Sequence, residues 1–180
     1  MYYKKVTLKP QDIVVLLKLS GYISCIRPTY AVMATELSLS QSEIHSAVKR
    51  LKHSRLLHNS EMGEKPNLSA AEEFLIHGVK YAFPVERGGL TRGMPTSYAA
   101  EPLCRLIQAG SDPVPVWACP NGVTRGIAVT PLYKTVPEAA ERDPLLYERL
   151  ALLDAIRDGR AGERDMAEEK LKNSLRQIYD

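Results

Sequence analysis

The sequence predicts a mostly helical α+β fold, with an N-terminal three-helix unit and an appended region holding a β-hairpin and two or three helices. Three observations carry that prediction. Apolar residues recur at helical spacing near both ends, as in Ile44, Val48 and Leu51 and again in Leu146, Leu150 and Leu153. A Pro120-Asn121-Gly122 turn separates two strand-like runs, Val114 to Trp117 and Val123 to Val129. A composition of 44% hydrophobic and 25% charged residues is that of a globular chain, and 180 residues suffice to bury a core. The pattern changes at residue 66, giving expected units 1–66 and 67–180.

Several classes are excluded at this level. Three cysteines, Cys25, Cys104 and Cys119, with no CxxC pair cannot build a disulfide framework or a four-cysteine zinc site. The longest apolar runs, such as Ile13 to Leu17, are too short to span a bilayer, and no signal-peptide pattern is visible. A cytoplasmic protein without metal or cofactor is expected, with no membrane association. The net charge of +3 is unevenly placed: residues 1–66 hold 10 Lys and Arg against 5 Asp and Glu, and residues 67–180 hold 14 against 16. An N-terminal excess of this kind points to a polyanionic partner.

Lys9 to Leu19 reads as the first helix, with Ile13, Leu16 and Leu17 inward, Pro10 tolerated in the first turn and Gly21 beyond its end. Thr29 is the expected N-cap of a second helix anchored by Val32, Met33 and Leu37. After a turn at Ser38-Leu39, Ser40 and Glu43 have the spacing of a capping box for a third helix, Gln41 to about Ser54. That helix has two faces. Ile44, Ala47, Val48 and Leu51 point to the core, while Gln41, Ser42, His45, Ser46, Lys49 and Lys52 occupy the other side. Short polar donors and cations of this kind bond base edges and phosphates in a major groove.

The run Tyr30 to Lys49 resembles the helix-turn-helix of bacterial and phage repressors. Ala34 stands where the two helices cross, Leu39 plugs the turn, and Ile44, Ala47 and Val48 are the buried positions of the recognition helix. Ser38 departs from the pattern, because the family usually has glycine there, where a left-handed backbone is costly for serine. With the preceding helix and the segment after Leu57, residues 8–66 resemble a MarR-like winged helix. Leu56-Leu57-His58 reads as a strand and Glu61 to Pro66 contains a turn, so a short or vestigial wing is expected.

Asn67 or Ser69 can cap a helix through about Lys80, bearing Ala70, Phe74, Leu75 and Val79, with His77 on or beside the stripe and partly buried. The glycine- and proline-rich run Phe83 to Tyr98 cannot be a regular helix and reads as an ordered linker over the core. Its glycines with Arg87 and Arg92 form a candidate anion loop, though no Lys-Ser/Thr follows to make a nucleotide P-loop. The segment resembles one in uncharacterised bacterial winged-helix proteins, which implies no activity. Trp117 is expected to anchor packing, and Cys119 is expected to be an ordinary thiol. Pro137 opens one short helix, and Asp143-Pro144 caps and opens a longer one carrying Leu146, Leu150, Leu153 and Ile156. A last charged helix, Glu163 to Gln177, has a thin stripe of Met166, Leu171 and Leu175, for which a second chain is the expected cover.

The function expected from these features is sequence-specific binding of double-stranded DNA by a homodimeric bacterial transcription regulator. Gln41, Ser42, His45 and Ser46 are the expected base readers, and Tyr30, Lys49 and Lys52 the phosphate anchors. The alternative is a protein-interaction module, an antitoxin or accessory protein holding a partner through its C-terminal region. No nucleophile–base pair or carboxylate dyad marks an enzyme, and no catalytic residue is expected.

Overall fold

The computed structural model describes residues 6–108 and 110–176. The N-terminal unit comprises α1 (Pro10–Leu19), α2 (Tyr30–Leu37) and α3 (Gln41–His53), then a two-stranded wing, β1 (Leu57–Ser60) and β2 (Gly63–Pro66). The caps follow the local chemistry: Thr29 Oγ1 accepts from Val32 N–H at 3.3 Å, and Ser40 Oγ accepts from Glu43 N–H at 3.1 Å. The reciprocal half of the expected box is absent. Glu43 instead takes the Gln11 amide at 2.7 Å, tying α3 to α1. On α2 the inward face is Met33, Ala34 and Leu37, whereas Val32, expected to anchor the helix, is 45% exposed. One turn of helix cannot turn both Val32 and the Ala34–Leu37 face inward, and the crossing with α3 selects the latter.

The appended region begins with α4 (Leu68–Glu73), capped by Asn67, and continues through a π-turn at Phe74–Gly78 into α5 (Val79–Ala82). The π-turn shifts the register, so Leu75, Ile76 and Val79 are buried and His77 is exposed, correcting its expected partial burial.

The expected linker is a strand. Here β3 (Arg87–Pro95) pairs antiparallel with β4 (Pro115–Ala118) through its C-terminal half and with β5 (Thr124–Val129) through the rest. β4 and β5 run parallel and close the three strands on themselves, so they are not the expected hairpin. The Pro120-Asn121-Gly122 turn does form, with Gly122 N–H donating to Cys119 O at 3.1 Å, but it crosses over β3. Such closure demands glycine at the crossings. A Cβ on Gly93 would lie 2.0 Å from the Trp117 carbonyl oxygen, and one on Gly126 would lie 2.0 Å from that of Val114. Of the glycines that argued for a linker, Gly93 is the one that lets this strand close.

Three helices finish the chain: α6 (Val136–Arg142), α7 (Pro144–Asp158), capped by Asp143, and α8 (Ala161–Arg176). Gln177, the expected end of the last helix, lies outside the described residues. Ala167, Leu171 and Leu175 of α8 are buried, and α8 packs on α7 of its own chain. No second chain is needed to cover that stripe. Across the expected boundary at residue 66, one cluster of buried side chains runs from Ile13 to Leu175.

Polar groups reinforce that continuity. Arg149 of α7 is fully buried and donates to Leu17 O and Ser20 Oγ at the end of α1 and to Ser174 of α8. Burial pushes its pKa down to about 10, leaving it protonated at neutral pH. Lys18 of α1 bridges Glu36 of α2 at 3.0 Å and the α7 cap Asp143 at 2.7 Å.

Candidate nucleic-acid interface

The interface is built by fixing α3 from behind. Asp12 of α1, wholly buried, caps its own helix through the Lys9 N–H and receives both arms of Arg50 from α3 at 2.6 and 2.7 Å. With Gln11–Glu43 this sets the rotation of α3 about its axis, so the opposite face looks outward. Gln41, Ser42, His45 and Lys49 are exposed on that face, and Ser46 and Lys52 are half-buried at its margins. Ser42 Oγ lies 3.0 Å from Ser40 Oγ; neither Lys49 nor Lys52 has an ion pair among the described residues.

The turn before α3 carries the strain foreseen at Ser38, whose φ is +52°. The support comes from outside the helix-turn-helix. Arg142 of α6 donates to Thr35 O at 3.0 Å and Ser38 Oγ at 2.7 Å, satisfying the end of α2, and is itself held by Glu138. Arg142→Ala is expected to lower stability by about 1 kcal/mol, below the usual range for a charged hydrogen bond because the side chain is 41% exposed. Urea denaturation checks this, and an unchanged midpoint would mean that water replaces the guanidinium at no cost.

Tyr30, an expected phosphate anchor, is engaged elsewhere. Its hydroxyl donates to Glu64 of the wing at 3.1 Å, Arg27 lies 4.5 Å over its ring, and the ring is tilted on His45 at 6.0 Å. Burial, helped by Glu64, raises the Tyr30 pKa. Burial also pushes Glu64 upward, but its own backbone N–H, Arg27 and Tyr30 outweigh this and hold it below the usual carboxylate range. Arg27, Tyr30 and Glu64 thus seat the wing on α2 and hold His45 from one side. Lys65 is buried and donates to the Tyr22 and Cys25 carbonyls, so it too belongs to the support.

The wing is as short as expected, four residues a strand, with Glu61 and Met62 exposed at its tip. Internal pairing therefore sorts the N-terminal charges. Lys18, Arg27, Arg50 and Lys65 are tied to acids or carbonyls, while Lys9, Lys49, Lys52 and Arg55 have no such partner among the described residues. Of the five acids of residues 1–66, Glu61 alone has no hydrogen bond or ion pair among the described residues.

The expected anion loop does not form as a loop. Arg87 is held by Asp158 at 2.6 Å, and Arg92 lies exposed in β3, opposite Arg125 of β5. Among the described residues no group of three His, Cys, Asp or Glu side chains gathers at metal-ligand spacing, and no helix is long and apolar enough to cross a membrane.

No protein-family model, curated protein or solved structure matches the chain. The interface thus stands on its own geometry. Sequence reasoning reached the outward face of α3, because its periodicity is local. It missed Arg142, Arg27 and Glu64, whose ties across the fold span 34 to 107 residues and leave no local pattern.

Proposed function

We propose that the protein binds double-stranded DNA through the outer face of α3 and regulates transcription. The observation that carries this is the contrast between the two sides of α3. Its inner side is locked by buried apolar residues and the Arg50–Asp12 pair, while its outer side leaves Gln41, Ser42, His45 and Lys49 exposed. A rigid helix presenting amide, hydroxyl, imidazole and ammonium groups at one end suits a major groove. In this reading Gln41, Ser42, His45 and Ser46 read base edges, and Lys49 and Lys52 hold phosphates. Tyr30 acts through His45, keeping the imidazole oriented. Reading a two-fold site needs two recognition helices, so a homodimer is part of the proposal. The apolar stripe of α8 is covered by its own chain, so a dimer through the C-terminal helices would use their outer faces.

The test is a titration of duplex DNA at several salt concentrations. Wild-type protein is expected to show a steep fall of log affinity with log salt, and Lys49→Ala to reduce the slope by about one. Salt-independent binding, or an unchanged slope in the variant, would remove the phosphate role from α3. Sedimentation at micromolar concentration checks the dimer, and a monomer throughout would confine recognition to a single half-site.

A further inference from the structure

The charge pairing in the β unit is unusual in one respect. Arg92 of β3 and Arg125 of β5 are direct cross-strand partners, both exposed. Neither guanidinium has a hydrogen bond or ion pair among the described residues, whereas Arg87, Arg105, Arg142, Arg157, Arg160 and Arg176 each reach a carboxylate. Like charges directly opposite on adjacent strands destabilise a sheet, with Cβ atoms about 5 Å apart. An anion from outside the chain would relieve the pair. Its surroundings are open: Leu90 is 56% exposed, Val123 is 86% exposed, and a Cβ on Gly89 would meet nothing within 4 Å.

The position also matters. Gly93, next to Arg92, pairs with Ala118, and residues Ala118 to Asn121 share a cleft with Lys134, Pro137 and Glu138 at α6. α6 in turn packs on α2 of the helix-turn-helix. The β unit that carries the arginine pair is thus linked to the helix-turn-helix through α6.

We propose that Arg92 and Arg125 form a second phosphate clamp, gripping the sugar–phosphate backbone of nucleic acid outside the groove read by α3. The clamp rests on the DNA reading for its duplex partner but uses none of the residues of α3. Two forked, always-charged donors on adjacent strands suit two phosphates better than one compact carboxylate. A clamp of this kind adds affinity and register without base selectivity.

Anisotropy titrations of a random-sequence duplex across a salt series, with wild type, R92Q/R125Q and Q41A/K49A, separate the two ideas. The clamp is expected to make the slope of log affinity against log salt shallower by about two in R92Q/R125Q, near 0.9 per phosphate. The fold should persist in that variant, with its thermal midpoint unchanged or raised as the like-charge contact is relieved. An unaltered slope in R92Q/R125Q, while Q41A/K49A weakens binding, overturns the clamp and leaves the α3 reading standing. Loss in R92Q/R125Q with no effect of Q41A/K49A keeps the clamp and overturns the α3 reading. Wild-type protein that binds no duplex at any salt overturns both. Displacement of the duplex by polyglutamate as effectively as by a nucleic acid of equal charge, lost in R92Q/R125Q, overturns the phosphate assignment for an acidic protein partner.

Discussion

Asp154→Ala is expected to destabilise the protein by roughly 3–5 kcal/mol, the cost of leaving a buried ionic network without its anion. Asp154 of α7 is 2% exposed and accepts from Trp117 Nε1 at 2.6 Å, Thr96 Oγ1 at 2.8 Å and Arg157 Nη1 at 2.7 Å. Arg157 continues to the Phe83 and Pro84 carbonyls, so one carboxylate joins α7 to both ends of the segment that contains β3. Alanine removes this acceptor from a guanidinium, an indole N–H and a hydroxyl in a buried site. For a chain of this length the midpoint should fall by about 6–20 °C, at roughly 2–4 °C per kcal/mol. Burial raises the Asp154 pKa, with Arg157, Thr96 and Trp117 pulling the other way. The folded state therefore holds this proton more tightly than the unfolded one. That proton favours folding most below the unfolded value of about 3.9, and this share is lost as pH rises through the folded pKa. The acceptor role toward Trp117, Thr96 and Arg157 is separate, and alanine removes it at any pH. A fall of less than about 1 kcal/mol in the alanine variant would show that water reaches the site and replaces the carboxylate.

Gly93→Ala is expected to open the three-stranded unit, at a cost on the order of 3 kcal/mol, the upper end of ordinary overpacking. The added methyl carbon would stand 2.0 Å from the Trp117 carbonyl oxygen and 3.1 Å from Val116 Cβ, so the β4 backbone would have to move. Gly126→Ala meets the Val114 carbonyl in the same way, whereas Gly89→Ala has free space and should change stability little. Trp117, the sole tryptophan and 1% exposed, reports the outcome directly. Its emission should shift to the red in the first two variants and stay put in the third. Equal effects at Gly89 and Gly93 would mean that chain flexibility, not close approach, explains these glycines.

What was legible in the sequence is what is encoded within a few residues. Thr29, Ser40, Asn67 and Asp143 cap their helices as their chemistry dictates, and the buried stripe of α3 has the expected members. The misreadings share a physical cause. Val32 and His77 depend on which of two adjacent helix positions faces a distant neighbour, and for His77 the π-turn moves that choice. Gly93 of β3 is glycine because the β4 backbone presses on it, a reason visible only once β4 is in place. For the interface, the residue types on α3 were readable. The division of basic residues into internal ties and outward cations was not, because Arg27, Arg50 and Lys65 find their partners across the fold.

The most direct test of the proposed DNA reading selects duplexes from a randomised library with the wild-type protein and compares their binding with that of random duplex. At physiological salt the selected sequence should bind at least about 10³-fold more tightly than random DNA. Gln41→Ala with Lys49→Ala should erase most of that preference and flatten the salt slope. An unselective library, or a double variant that keeps both the affinity and the preference of the wild type, would contradict the assignment of α3 as the DNA-reading helix.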